Sequence, residues 1–372
     1  MLFNPLKTNN EIFITNYGIK FTEIVNSVMN MGVKIAKNRM SEFLDYLKRK
    51  YALYAPIEEN GISKIAKIES ISEITVLPYR TQISVKPIFF PPEQKFFKFQ
   101  KKDGKFELED YLLQINEEEK VIFGLRGCDV RALEVLDRYM LSEFQDPYYR
   151  KRRENTLIIG LSCDYPKESC FCTAFGGMIP KRYDLWFTDI GSHYFVDIGS
   201  EKGRELINSE FFEEATKEDE AKKIRKINAV EMEINRRTKI DLCEIKKCAQ
   251  EIKKKADDPI WEELGKLCLS CGKCNFVCPT CHCFDVRDVT NIDGSEGERI
   301  RIWDSCHLYE YAKTSAENFR KERKARVRYR IYDKFVFPVM RYGVYACTGC
   351  GRCNEVCPAG INIRDVLRRL IS

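Results

Sequence analysis

Two stretches of this chain repeat one cysteine spacing, and that repeat limits the fold more than any other feature. Cys268, Cys271, Cys274 and Cys278 are followed by Pro279, while Cys347, Cys350, Cys353 and Cys357 are followed by Pro358. Each reads C-x2-C-x2-C-x3-C-P, the bacterial-ferredoxin arrangement, in which three cysteines wrap one cluster and the fourth reaches the other. Gaps of two residues let one tight loop meet three corners of a cube, and Gly272, Gly349 and Gly351 let its backbone come close. The spacing therefore assigns one [4Fe–4S] cluster to Cys268, Cys271, Cys274 and Cys357. It assigns a second to Cys347, Cys350, Cys353 and Cys278. Structural zinc favours CxxC pairs set apart by a spacer and does not match three cysteines that close on Cys-Pro. Two clusters side by side can take and pass single electrons.

The chain has seventeen cysteines in 372 residues, so nine lie outside the repeat. No continuous apolar leader opens the sequence and no run reaches membrane-spanning length, so a reducing cytoplasm is expected, with cysteines as ligands and not as bridges. Cys128 and Cys163 each follow a short apolar run, Val121–Leu125 and Thr156–Leu161. If those runs are neighbouring parallel strands, both thiols stand at the carboxyl edge where ligands gather. Cys128 also falls at a helix start, where the dipole favours a thiolate. Cys170 and Cys172 lie a short loop beyond Cys163, so these four could converge on a third [4Fe–4S] cluster. Cys281, Cys283 and Cys306 could tune a cluster, complete another or pack; Cys243 and Cys248 read as structural.

Around the cysteines the pattern reads as α+β. Residues 1–32 form an N-terminal extension, 33–235 an α/β domain with a mixed, partly parallel sheet that docks partners, and 236–372 an α-helical ferredoxin domain. Val33–Tyr51 has helical spacing through Phe43, Leu44 and Leu47, and Ile83–Phe99, broken by Pro87, Pro91 and Pro92, reads as a turn and an edge strand. Asp129 is the expected N-cap of a helix through Met140. Leu185–Asp189 and Tyr194–Ile198 read as a hairpin, and a charged helix starts near Lys217. The 68 residues between Cys278 and Cys347 contain helical patterns such as Ser305–Phe319. No Gly-rich dinucleotide fingerprint or phosphate loop is present, so nicotinamide or flavin chemistry is expected on another chain. A net charge of +6 does not by itself imply nucleic acid, and the basic run Lys321–Arg330 reads as a solvated face or a surface for an acidic redox partner. A cluster-based redox or iron sensor that regulates binding is the alternative, with the basic run as its support.

Several segments together resemble a known group. They are Phe123-Gly-Leu-Arg-Gly-Cys-Asp129, Ser162-Cys163 with Cys170-Phe-Cys172, Cys278-Pro-Thr-Cys-His-Cys283, Trp303-Asp-Ser-Cys306, Asn318-Phe-Arg320 and Leu53-Tyr-Ala-Pro56. With both ferredoxin motifs, they are similar to the iron–sulfur β subunit of soluble sulfhydrogenases (cytosolic NiFe hydrogenases) and to its relative, the iron–sulfur component of anaerobic sulfite reductase. The resemblance runs from about residue 33 to the C-terminus. It implies a protein without substrate turnover of its own that relays electrons within a larger complex. At one end of the relay stands a flavin- and [2Fe–2S]-bearing NAD(P)H reductase subunit. At the other stands the catalytic subunit, either a NiFe hydrogenase or a siroheme sulfite reductase.

Overall fold

The structure, a computed structural model, describes residues 32–115, 118–240 and 245–371. The expected extension thus lies, but for Gly32, outside the described residues, as do Leu242 and Cys243. The first part of the chain alternates strands with helices: β1 (Val33–Ala36), α1 (Met40–Lys50), β2 (Ala52–Glu59), β3 (Ile62–Lys67), β4 (Glu93–Lys102) and β5 (Lys105–Asp110). It continues through β6 (Lys120–Leu125), α2 (Gly127–Met140), β7 (Thr156–Leu161), β8 (Leu185–Asp189), β9 (His193–Ile198), β10 (Phe212–Glu214) and α3 (Lys217–Thr238). Eight of these strands form one sheet in the order β10-β1-β9-β8-β7-β6-β2-β3. Its centre, β2-β6-β7-β8, is parallel, and the remaining pairs are antiparallel. The mixed, partly parallel sheet is the one the sequence predicts.

Burial on both faces explains why the central strands are continuous apolar runs. Leu157, Ile159, Leu161, Leu185 and Phe187 pack with Phe43 and Leu47 of α1 on one side. Ile158 and Trp186 point the other way, against Leu133 and Leu136 of α2. Gly160 lies under the Trp186 ring, whose atoms would be 2.1 Å from any Cβ placed there.

Four local expectations change. Val33–Ala36 is a strand and not the first turn of a helix, because β9 and β10 pair with it on either side. Pro87 falls in a one-turn helix at Lys86–Phe89, and Pro91 and Pro92 precede β4. Nothing then blocks that strand's hydrogen bonds, and β4 has a paired strand on each side and is not an edge. The N-cap of α2 is Arg126, with Asp129 inside the first turn. Ser305–Phe319 is turns and one 3-10 turn at Glu310–Ala312, tied by a Lys313–Asn318 bridge.

The C-terminal region is the more helical one, with α4 (Ile260–Leu267), α5 (Arg323–Phe335) and α6 (Ile363–Ile371) around a core of Trp261, Leu264, Ile331, Phe335 and Leu367. It also contains a hairpin, β11 (Phe284–Thr290) and β12 (Glu296–Trp303), that pairs through β12 with β4. The resulting four-stranded antiparallel sheet, β11-β12-β4-β5, takes one hairpin from each half of the chain. Among the described residues no helix is long and apolar enough to cross a membrane.

Candidate iron–sulfur centres

The first cysteine loop starts where α4 ends, with Cys268 as its C-cap. Ser270 and Gly272 adopt left-handed backbone, φ 55° and 72°, which curls the loop round before a one-turn helix at Lys273–Phe276. The second loop repeats this with Gly349 and Gly351, φ 64° and 74°, before Arg352–Glu355. Amides point at sulfur in both loops: Ser270 N–H donates to Cys268 Sγ (3.4 Å) and Gly349 N–H to Cys347 Sγ (3.5 Å).

Each loop faces a cavity. Cys268, Cys271, Cys274 and Cys357 line the first, beside Leu264 and Ile363. Cys347, Cys350, Cys353 and Cys278 line the second, beside Phe171 and Thr280. The fourth cysteine of each motif thus stands at the other motif's loop. Cys353 and Arg330 line both cavities, so the two adjoin. Cys271 is exposed to solvent, whereas Cys350 is buried.

Burial raises the thiols of Cys274 and Cys347 above the usual range and pushes Cys353 up to about 12. Cys278 goes the other way, held down by a hydrogen bond from Cys281 and by the cations of Lys334 and Arg330. A donor set of buried thiols ringing a cavity fits a thiolate-bound cluster. Among the described residues no three His, Cys, Asp or Glu side chains gather closely enough to hold a single metal ion.

Cys128, Cys163, Cys170 and Cys172 lie next to the second loop. Gly349 and Gly351 press on the segment that carries Cys170 and Cys172; a Cβ would stand 2.4 Å from Phe171 O at the first and 2.3 Å from Ser169 O at the second. Phe171 N–H donates to Gly349 O at 2.8 Å. Cys163 and Cys170 lie near enough to Cys172 to raise its thiol beyond what burial does, and Cys172 acts likewise on Cys128. Burial pushes Cys170 up to about 11 and Cys163 up as well. Burial and the adjacent Asp129 also hold the Cys128 thiol well above its ordinary value, contrary to the thiolate expected at a helix start. The parallel pairing of β6 with β7 does place Cys128 and Cys163 at one sheet edge, where Arg126 donates to Leu161 O and Ser162 O.

The other cysteines are partners of these loops. Cys281 hydrogen-bonds Cys278, and Cys283 hydrogen-bonds Cys306. Asn275, next to Cys274, donates to Cys306 Sγ at 3.0 Å and accepts from Arg330 Nε at 2.8 Å. Cys248 packs at the edge of the C-terminal core. His307 Nδ1 lies 3.7 Å from Cys268 Sγ.

Sequence reading missed the cations. Arg80 is 1% exposed, bonds to Cys350 O, and pairs with Glu355 at 2.8 Å. Arg352 grips Asp129 with two 2.8 Å hydrogen bonds, both side chains buried. Lys86, Arg330 and Lys334 are buried as well; Lys334 has Asp333 at 3.7 Å, but neither Lys86 nor Arg330 has a carboxylate within ion-pair reach among the described residues. Arg326, Arg330 and Lys334 recur every four residues beside the buried Val327, Ile331 and Phe335, and that period marks an inward stripe. The run is therefore not simply a solvated face.

Comparison with known proteins agrees with this arrangement. The 4Fe-4S dicluster domain family matches residues 267–361, which span both loops. Sulfhydrogenase 2 subunit beta of Pyrococcus furiosus is 31% identical over 350 residues, covering 90% of this chain and 97% of that protein. No solved structure matches the chain. With two cysteine loops in a dicluster domain and near full-length likeness, the chain belongs to the family of sulfhydrogenase beta subunits, iron–sulfur proteins of electron transfer.

Proposed function

We propose that this chain relays single electrons through two [4Fe–4S] clusters, one on Cys268, Cys271, Cys274 and Cys357 and the other on Cys347, Cys350, Cys353 and Cys278. Arg330 is the observation that carries the reading. Its guanidinium is buried between the two thiol-lined cavities with no carboxylate partner among the described residues. A lone buried cation costs several kcal/mol unless an anion lies beside it. A cluster with four thiolates is a net anion, so one on either side of Arg330 supplies the missing charge.

A third cluster on Cys128, Cys163, Cys170 and Cys172 extends the relay. Its support is the mutual influence of those thiols and the close packing of their segment on the second loop. The three groups then lie in a series, with exposed Cys271 at one end and the sheet edge at the other. We assign one end to a flavin- and [2Fe–2S]-bearing NAD(P)H reductase subunit, the other to a catalytic subunit of hydrogenase or sulfite reductase type, in a cytoplasmic complex. The relative's name, sulfhydrogenase, supports this class of partner.

Iron and acid-labile sulfide on anaerobically purified chain test the proposal. About eight irons with interacting S = 1/2 signals after dithionite indicate two clusters, and about twelve indicate three, of which Cys170→Ala removes about four. Zinc in place of iron would sink it. The isolated chain should pass electrons to dyes, neither oxidise H2 nor reduce sulfite, and bring down a flavoprotein from an anaerobic extract.

A further inference from the structure

We propose that the buried ammonium of Lys334, with that of Lys86 beside it, raises the reduction potential of the centre held by Cys278 and the Cys347–Cys353 loop. The proposal rests on the two-cluster reading above.

Lys334 is 1% exposed, and its Nζ donates to Thr280 Oγ1 at 3.2 Å. Thr280, wholly buried, stands 3.2 Å from Cys278 Sγ by the same hydroxyl oxygen and donates to Ala346 O at 2.7 Å, one residue before Cys347. Ala346 N–H in turn donates to Lys334 O at 2.9 Å. The lysine is thus fixed at both ends against the second cavity, which it lines. Its own carboxylate, Asp333, stands off at 3.7 Å.

Lys86 approaches from the other half of the chain. It is 2% exposed, donates to Cys281 O at 3.2 Å and lies 3.7 Å above the Trp303 ring. Cys281 is hydrogen-bonded to Cys278, so both ammonium groups bear on the same ligand. Arg330 serves both cavities, but of these three cations neither lysine lines the first.

Reduction adds one electron to a centre and forms no new bond to these lysines, so the reduced state is more negative by one charge. A fixed cation nearby favours that state over the oxidised one, in an interior where salt does not screen it. Burying two ammonium groups here has a cost that the anion opposite them offsets, and more fully once it is reduced.

The test is an EPR-monitored redox titration of the anaerobic full-length chain after iron and sulfide have been counted. Lys334→Met should make one centre about tenfold harder to reduce, which is about 59 mV for a one-electron couple, and leave the others in place. Lys334→Arg should restore that midpoint to within about threefold, since it returns the charge. Lys86→Met should move the same midpoint in the same direction, and it decides the matter if Lys334→Met does not load iron. A fully loaded Lys334→Met chain with unmoved midpoints would overturn the proposal, and so would an equal shift of every centre. Wild-type chain without iron would instead refute the two-cluster reading.

Discussion

At the scale of single residues, the second loop is fastened by charge. Arg352 sits between Gly351 and Cys353, and its fork holds Asp129, which follows Cys128. Both groups are shut away from water, so removing one strands the other. Asp129→Leu should lower stability by about 3–5 kcal/mol, and Asp129→Leu with Arg352→Met should recover most of it, because a buried pair replaced by apolar side chains is often near neutral. Anaerobic denaturant midpoints of the two variants measure this; equal losses would show that the pair does not act as a unit. Sequence alone could not reveal this role. A capping aspartate is a local signal, whereas the partner of Asp129 lies 223 positions away. The cysteine spacing was legible because the chemistry it serves acts within one loop. Lys86 left no such signal, since nothing in Val85–Pro87 distinguishes it from a surface lysine.

Elements show the same division between local and distant causes. β7 and the β8–β9 hairpin follow from apolar runs and turns, and the structure places them where the sequence does. β1 takes its conformation from partners about 160 residues away, so helical spacing through Ile35 misleads. The β11–β12 hairpin was readable: Phe284 and Val286 alternate with Asp285 and Arg287, and Asp293-Gly294 marks the turn. The helical likeness of the region masked it.

The loops give a sharper test of element geometry. Gly351 and Gly360 both have left-handed backbone, φ 74° and 66°, but only Gly351 lies against another segment. Gly360→Ala should cost about 1–2 kcal/mol of backbone strain and leave the iron content intact. Gly351→Ala adds a Cβ 2.3 Å from Ser169 O and should prevent the loop from seating. We expect it to lose about four irons with its far-UV circular dichroism unchanged. Equal iron in both variants would show that the contact with Ser169 does not shape the site.

Across the whole molecule, the two halves of the chain are joined where the thiols are. The second loop lies on the 169–172 segment, Arg80 reaches Glu355, and β12 pairs with β4. The third group of thiols therefore depends on both halves. Its four members are all raised by burial, Cys170 to about 11, so at neutral pH the metal-free thiols are protonated. Ligation needs thiolates and expels those protons, so raising the pH favours filling, by up to about tenfold per pH unit for each thiol that stays protonated without iron. The exposed Cys271 end has water to stabilise its thiolate and should fill more readily at low pH. Anaerobic reconstitution at about pH 8.5 should therefore give about twelve irons per chain and at about pH 6.5 fewer, with the deficit centred on the third group. Cys170→Ala removes that group, so its iron content should vary less with pH than that of the wild type. If the variant and the wild type lose iron in parallel as the pH falls, the pH dependence belongs to the two ferredoxin loops, and Cys128, Cys163, Cys170 and Cys172 are packing.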